Sequence, residues 1–382
     1  MRNEDLTIAY LADGSSVHTK RFLSYFAERG YNIHLITYTS AEMENVHVHK
    51  ITTSRIMIPL RIAQSISLIR KIKPDILHAF YLTNNGAIGA LSGFHPLILT
   101  PLGSDITSDP EVSRVFRILV EFSLKRADMV HAADNITKNR LIELGCAPQK
   151  ILVQQFGVDT TRFSPTAYSQ SLRRKLASDD TYLVLCGRWW RPQYSVDVFI
   201  KAMPLVLKEI PNVKFVLLGG GPLEKKLREL ATDLGVCEKV LFIGKIPPGE
   251  MPKYLATADV YIDTVSVYRT DAMGSVKVAR GESGLGQNTR EAMACGVPQI
   301  LCDMPGVKTG GWFQGLTYKQ GDPKDLAEKI VQLLNDEELR KRIGEKSVET
   351  VLELFNLGKI MKKWEVLYHG LKISSKQENE AG

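Results

Sequence analysis

The chain has 382 residues, more than one core comfortably organises, so two domains are expected. Hydrophobic residues make up 44% and charged residues 24%, a globular balance, and no apolar run approaches the length of a bilayer span. The net charge of +7 and pI near 9.0 permit anionic partners, but no basic run interleaved with aromatics marks a nucleic-acid surface, and nucleic acid is not expected as a partner. Cys146, Cys186, Cys237, Cys295 and Cys302 are odd in number and lack Cys-x-x-Cys spacing, which argues against a disulfide framework or a zinc site and suits a cytoplasmic protein. The apolar start Leu6–Leu11 meets Asp13 too soon for a signal peptide.

In chain order, β-rich runs are expected at Thr7–Leu11, Ile33–Thr37, Asp75–Ala79, Leu97–Thr100, Met129–Ala132 and Ile151–Gln154. Helical periodicity lies between them at Thr19–Arg29, Ile62–Ile72 and Ser113–Arg126. A linker is placed near Phe163-Ser164-Pro165-Thr166, after which the alternation restarts. Strands follow at Tyr182–Cys186, Lys214–Leu218, Val240–Ile243, Val260–Asp263 and Gln299–Cys302, with helices at Val196–Glu209, Leu223–Leu234 and one ending at Tyr254–Thr257. Val265–Gly281 reads as a long loop without obvious structure, Leu326–Trp364 as helical, and the polar tail after Ser374 as frayed. The pattern is that of an α/β protein with two doubly wound parallel sheets, whose ligands bind beyond the carboxyl ends of the strands.

The densest chemical signal is Gly284-Leu285-Gly286-Gln287-Asn288-Thr289-Arg290-Glu291, a glycine-rich loop running into a short helix that Gly296 and Pro298 end. Such a loop can lay backbone N–H groups against a phosphate, with the positive end of the helix dipole behind them. Glu291 would then face the vicinal hydroxyls of a ribose, which a carboxylate can accept from in pairs. A capping box, with Asn288 as N-cap and Glu291 reaching back to its amide, explains the same residues without a ligand.

The ordered set Gly14-Ser15-Ser16-Val17-His18, Lys73-Pro74-Asp75-Ile76-Leu77-His78-Ala79, Gly103-Ser104-Asp105-Ile106, Phe156-Gly157-Val158-Asp159, Gly187-Arg188, Leu218-Gly219-Gly220-Gly221-Pro222 and Glu291–Pro298 resembles the retaining glycosyltransferases of family 4 with a GT-B fold. The resemblance implies two Rossmann-like domains facing across a cleft: an acceptor-side domain over 1–165, a nucleotide-sugar domain over 166–354, and a C-terminal helix over 355–382 packing back toward the first. It implies transfer of a sugar with retention, from a UDP- or GDP-linked donor to a glycan or lipid-linked acceptor hydroxyl, with no metal and no cofactor. The competing expectation is a catalytically silent relative that binds a nucleotide sugar or acts as a scaffold.

Carried over residue by residue, the resemblance assigns Arg188 to the diphosphate, with Gly286, Gln287, Asn288 and Thr289, and Glu291 to the ribose. Gly14 and Ser15 are expected to close over the diphosphate, and Lys245 and Ile246 to lie beside the base. Three positions depart from the family pattern. No lysine follows Arg188, so Arg191 is the candidate second cation. The acid upstream of Glu291 falls at Ser283, with Glu282 one position off and Leu285 in the same donor loop. The histidine before Gly103 is replaced by Leu102, which leaves Asp105 as the acceptor-side catalytic candidate, against an ordinary role as a turn or cap residue. Basic amphipathic stretches, Arg55–Lys73 and Ser113–Arg126, leave an anionic membrane surface open as a partner at the inner face, or are solvated faces of helices covering the sheet.

Overall fold

A computed structural model describes residues 6–52, 57–265, 268–270, 276–278, 286–304, 307 and 312–381, with 268–270, 276–278 and everything from 374 onward as backbone only. The chain divides into two compact units, one formed by Met1–Gln155 with Ile360–Gly382 and the other by the residues from Phe156 to Lys359. The change at Phe156 comes ahead of the expected boundary at 165. The reason is packing: Val158 and Phe163 are buried in the core of the second unit, so the stretch expected as a linker is part of a domain.

The first unit carries a seven-stranded parallel sheet. Its strands are β1 (Thr7–Leu11), β2 (Asn32–Thr37), β3 (Val46–Lys50), β4 (Ile76–Phe80), β5 (Leu97–Thr100), β6 (Met129–Ala132) and β7 (Ile151–Val153). The spatial order is β3-β2-β1-β4-β5-β6-β7. The central strands are apolar on both faces because helices cover both sides, which is why they read as continuous hydrophobic runs. The edge strand β3, Val-His-Val-His-Lys, has no such run and no counterpart among the expected strands.

The second unit holds a six-stranded sheet of β8 (Tyr182–Gly187), β9 (Val213–Leu218), β10 (Val240–Gly244), β11 (Val260–Asp263), β14 (Gln299–Cys302) and β15 (Leu316–Tyr318), again parallel, in the order β10-β9-β8-β11-β14-β15. The intervening β12 (Tyr268–Thr270) and β13 (Val276–Val278) pair antiparallel with each other, so the expected structureless loop contains a small hairpin. In each sheet the chain winds outward over three strands and then returns to pair a fourth with its starting strand. The switch points fall between β1 and β4, and between β8 and β11. Crevices at such points are where ligands of doubly wound sheets bind.

Two further expectations need correction. The helical stretch expected over Leu326–Trp364 is broken into Pro323–Asn335 and Glu337–Thr350, with Asp336 capping the second by accepting from the Leu339 amide, followed by a short π-helical turn at Val351–Phe355. The last helix, Leu357–Ala381, continues through the tail expected to fray, where Lys, Gln and Glu are good helix formers despite their polarity. Within the first unit this helix buries Trp364 and Tyr368. The Tyr368 hydroxyl lies 2.7 Å from His78 Nδ1 and 3.2 Å from the Tyr10 hydroxyl, and Lys372 pairs with Asp75 at 2.9 Å.

Candidate donor site at the β8–β11 switch point

Arg188 is the first residue after β8 and Asp263 the last of β11, so strand order alone sets them beside each other at the switch point. The Arg188 Nε donates to Asp263 Oδ1, and its Nη2 donates to Oδ2 at 2.6 Å, a fork-to-fork pair. Asp263 is 2% exposed. Burial alone would ease the proton off the guanidinium, but the charge and hydrogen bond of Asp263, together with Tyr261 and Tyr194, outweigh it and hold the group protonated more firmly than usual. The Tyr194 ring lies 5.2 Å from the guanidinium carbon.

The helix Gln287–Ala294 begins against this pair. Its N-cap is Gly286, with no side-chain cap, so the capping box centred on Asn288 does not form. The Asn288 side-chain amide instead donates to the Gly187 carbonyl, and the Thr289 hydroxyl to Asp263 Oδ2. Both expected phosphate contacts thus spend their side chains on tying the helix to β8 and β11. Their backbone amides, in the first turn, have no partner within the helix. Gly286 lets the guanidinium come this close: a Cβ there would stand 2.6 Å from Arg188 Nη2 and 2.7 Å from Nη1, so the guanidinium would have to move.

One turn further, Glu291 is 5% exposed, and Gln287 Nε2 donates both to its Oε1 and to the Gly157 carbonyl, each at 3.2 Å. Arg290 lies on another face of the helix and donates to the Phe156 carbonyl at 2.9 Å. The structure therefore brings together Arg188, Gly286, Gln287, Asn288, Thr289 and Glu291 around one helix start. Glu282, Ser283 and Leu285 lie outside the described residues.

The segment Arg188–Trp190 is held from below by the turn after β9. Gly219 and Gly221 adopt φ of +126° and +156°, and a Cβ on either would stand 2.2 Å from the Arg188 carbonyl oxygen or 2.4 Å from that of Trp190. Gly219 and Gly221 serve this close backbone approach. Trp190 is fully buried, whereas Trp189 is exposed, with Lys245 Nζ 5.1 Å and the Arg191 guanidinium 5.9 Å from its ring centre. Arg191, the candidate second cation, and Lys245, expected beside the base, thus flank one indole at the carboxyl ends of the sheet, with the Lys245 stem against Gly220 and half-buried Ile246 following it.

Gly14, Ser15 and Asp105 belong to the first unit. Gly14 approaches the next strand closely, with its amide donating to the Thr37 hydroxyl at 3.0 Å. Ser15 donates through both its amide and its hydroxyl to Asp13 Oδ1, at 2.8 and 2.6 Å. Asp105 is fully buried, accepting from the amides of Leu82, Leu102 and Gly103 at 2.8, 3.0 and 2.9 Å. Burial pushes its carboxyl up to about 6, although those three amides pull the other way. This is the geometry of a staple joining two loops. Next to it, Tyr81 sits at φ +77°, uncommon for a bulky residue, and donates to Asp109 at 2.8 Å. Sequence reasoning passed over Tyr81 and Asp263 alike.

Among the described residues, no group of three or more His, Cys, Asp or Glu is placed to hold a metal ion, and no helix is long and apolar enough to cross a membrane.

Two family descriptions match the chain: Glycosyl transferases group 1 over residues 169–350 and Glycosyl transferase 4-like over residues 7–134, together most of its length. The chain is similar to the N-acetyl-alpha-D-glucosaminyl L-malate synthase of Bacillus anthracis, at 26% identity over 383 residues covering 93% of each protein. It is 34% identical over 192 residues to a GDP-mannose-dependent monoacylated alpha-(1-6)-phosphatidylinositol monomannoside mannosyltransferase of Corynebacterium glutamicum, covering 49% of this chain and 48% of that one. Of solved structures, HepE of Anabaena in complex with UDP-glucose matches with a TM-score of 0.79 at 19% identity, over 95% of this chain and 99% of that one. WaaG, a glycosyltransferase involved in lipopolysaccharide biosynthesis, matches with a TM-score of 0.72 at 14% identity, over 95% and 100%. With both domain descriptions matched in order on two doubly wound sheets, the chain belongs to the group 1, family 4 glycosyltransferases of GT-B fold.

Proposed function

We propose that the chain is a retaining, metal-independent glycosyltransferase that takes a sugar from a nucleoside diphosphate and gives it to a hydroxyl of a glycan or lipid-linked acceptor. The observation that carries this reading is the meeting of Arg188 with the start of the helix Gln287–Ala294, one turn before the buried carboxylate of Glu291. Arg188 and the helix N-terminus meet the negative charge of the departing diphosphate, the work a metal does elsewhere, so neither metal nor cofactor is required. Glu291 accepts from the ribose hydroxyls. Lys245, Ile246 and Arg191 lie toward the base and its phosphates.

In the front-side course proposed, the bond from the anomeric carbon to the β-phosphate oxygen breaks while the acceptor oxygen bonds to the same face. The acceptor proton passes to the departing phosphate oxygen. Asp105 then needs no exposed oxygen; it shapes the acceptor-side loop through its three amides. Gly14 and Ser15 form the corresponding turn after β1. A UDP- or GDP-linked donor is supported by the relatives, one named for GDP-mannose and one solved with UDP-glucose.

The helix Arg114–Arg126 supports a place at the cytoplasmic face of a membrane. Val115, Phe116 and Ile118 are exposed on it beside exposed Arg114 and Arg117, a combination suited to anionic lipid.

Thermal unfolding with UDP-, GDP-, ADP- and dTDP-sugars tests the donor site. One nucleotide class should raise the midpoint in the wild type and leave Glu291→Ala and Arg188→Ala unmoved, because only a ligand of the folded state stabilises it. No shift with any donor at millimolar concentration would sink the reading.

A further inference from the structure

We infer that Asp263 is a positioning residue for donor binding, acting through Arg188. The inference rests on the donor-site reading above and adds to it a residue 75 positions downstream that holds the phosphate-binding cation in place.

A guanidinium has five N–H donors in a fixed plane. Asp263 takes the edge formed by Nε and Nη2. The remaining donors, on Nη1 and the far side of Nη2, form the edge that lies against Gly286, where the helix begins. The same carboxylate accepts from Thr289 in that helix's first turn. One buried acid at the end of β11 thus fixes the orientation of the cation and the position of the helix start relative to it. The Tyr194 ring lies 5.2 Å from the guanidinium carbon, and any side chain at 286 would collide with its outer edge.

A buried ion pair kept only for stability is a weak device, since apolar residues of similar volume often do as well. This pair lies at the switch point, and its arginine keeps a full edge of donors turned toward the amides that would share the anion. Without the Asp263 charge, Arg188 would be a buried cation with its inner edge unmet, and the side chain would leave this orientation.

The test is calorimetric binding of UDP and GDP to the full chain, in the wild type, Asp263→Asn, Asp263→Glu, Arg188→Ala and the Arg188→Ala/Asp263→Asn pair, with ligand-free melting as the check on folding. Asp263→Asn should weaken nucleoside diphosphate binding at least tenfold, and Asp263→Glu, which keeps the charge on a longer arm, should weaken it less. In the Arg188→Ala background, Asp263→Asn should cause no further loss. Unchanged or tighter binding by folded Asp263→Asn would overturn the proposal, tighter binding meaning that Asp263 competes with the phosphate. An equal further loss in the Arg188→Ala background would overturn it too, as would Asp263→Glu binding like the wild type should Asp263→Asn fail to fold. A wild type that binds neither diphosphate overturns the donor-site reading itself, and with it this inference.

Discussion

At Asp105 the sequence names the residue and the fold decides its surroundings. Gly-Ser-Asp marked it as chemically interesting, but no sequence feature disclosed that three amides from two loops converge on it. That environment has a measurable consequence. A carboxyl raised to about 6 from 3.8 binds its proton more tightly folded than unfolded, so its contribution to stability is full below pH 3.8 and is lost as pH rises through about 6. About two pKa units correspond to about 3 kcal/mol. Asp105→Asn removes this falling contribution. Relative to the wild type, the variant should gain about 3 kcal/mol between pH 4 and pH 6.5 in urea titrations, whatever constant offset the lost acceptor imposes. Parallel curves for the two proteins would show that the carboxyl is not raised. Asp263 was harder to see: in Val-Tyr-Ile-Asp it reads as the polar end of a strand, and its partner is distant in sequence. Arg188 and Glu291 were legible because each lies inside a local motif, whereas the residue that orients one of them is specified only by strand order.

The strands were legible for a similar local reason. Those buried on both faces are short apolar runs between turn residues, and β1, β5, β6, β11 and β14 fall at the expected positions. β3 was missed because an exposed edge strand need not be apolar: its two valines alternate with histidines and it ends on a lysine, leaving no apolar run to mark it. At the helix start the sequence left two readings open, a phosphate loop and a capping box at Asn288; the N-cap is Gly286, without a side-chain cap, and Arg188 lies close against it. The Gly219–Gly221 turn belongs at this scale as well. It supports the Arg188–Trp190 backbone: the Trp190 amide donates to the Gly220 carbonyl, and the Leu223 amide to that of Trp190. Gly221→Ala puts a methyl against the Trp190 carbonyl at a φ that alanine resists, at a cost of several kcal/mol. The expected result is a melting midpoint lowered by several degrees and a donor-induced shift much reduced. Gly235→Ala is also at a positive φ, but at +67°, in the left-handed region an L residue can occupy, and with open space around it; it should lower the midpoint less and leave the donor shift intact. Equal effects of the two substitutions would show that strain alone, and not support of Arg188, is at issue.

At the scale of the whole chain, the two units differ in how their buried titratable groups respond to acid. The first unit encloses His78 and His131, both nearly inaccessible. Burial holds His131 down at about 4, and holds His78 well below its ordinary range. His34 and His49, in contact on β2 and β3, are lowered by partial burial and then by the charge of His47, with His49 adding to the effect on His34 and Lys71 to that on His49. A histidine whose folded value lies below its unfolded 6.5 gives stability that is complete above pH 6.5 and is lost as pH falls through the folded value. For His131 alone the loss approaches about 3 kcal/mol by pH 4, and His78 adds to it. Asp105 opposes them over the same interval but is one group against several. In the second unit, among the described residues, the buried groups displaced by their surroundings are Arg188, Tyr261, Tyr318, Cys186, Cys295 and Cys302, all moved upward, away from this range. Lowering the pH from 7 to 4.5 should therefore destabilise the first unit selectively. Calorimetry should show one transition moving down and separating from a second that stays nearly fixed. His131→Gln, which cannot charge, should reduce the downward movement. The helix Leu357–Ala381 gives an independent marker, because Trp364 lies edge-on to His131, with ring centres 5.3 Å apart, and is fully buried. Tryptophan emission should shift red with the acid-labile transition. If both transitions moved together, or if the later one alone carried the red shift, charging of the buried histidines would not be what limits the first unit in acid.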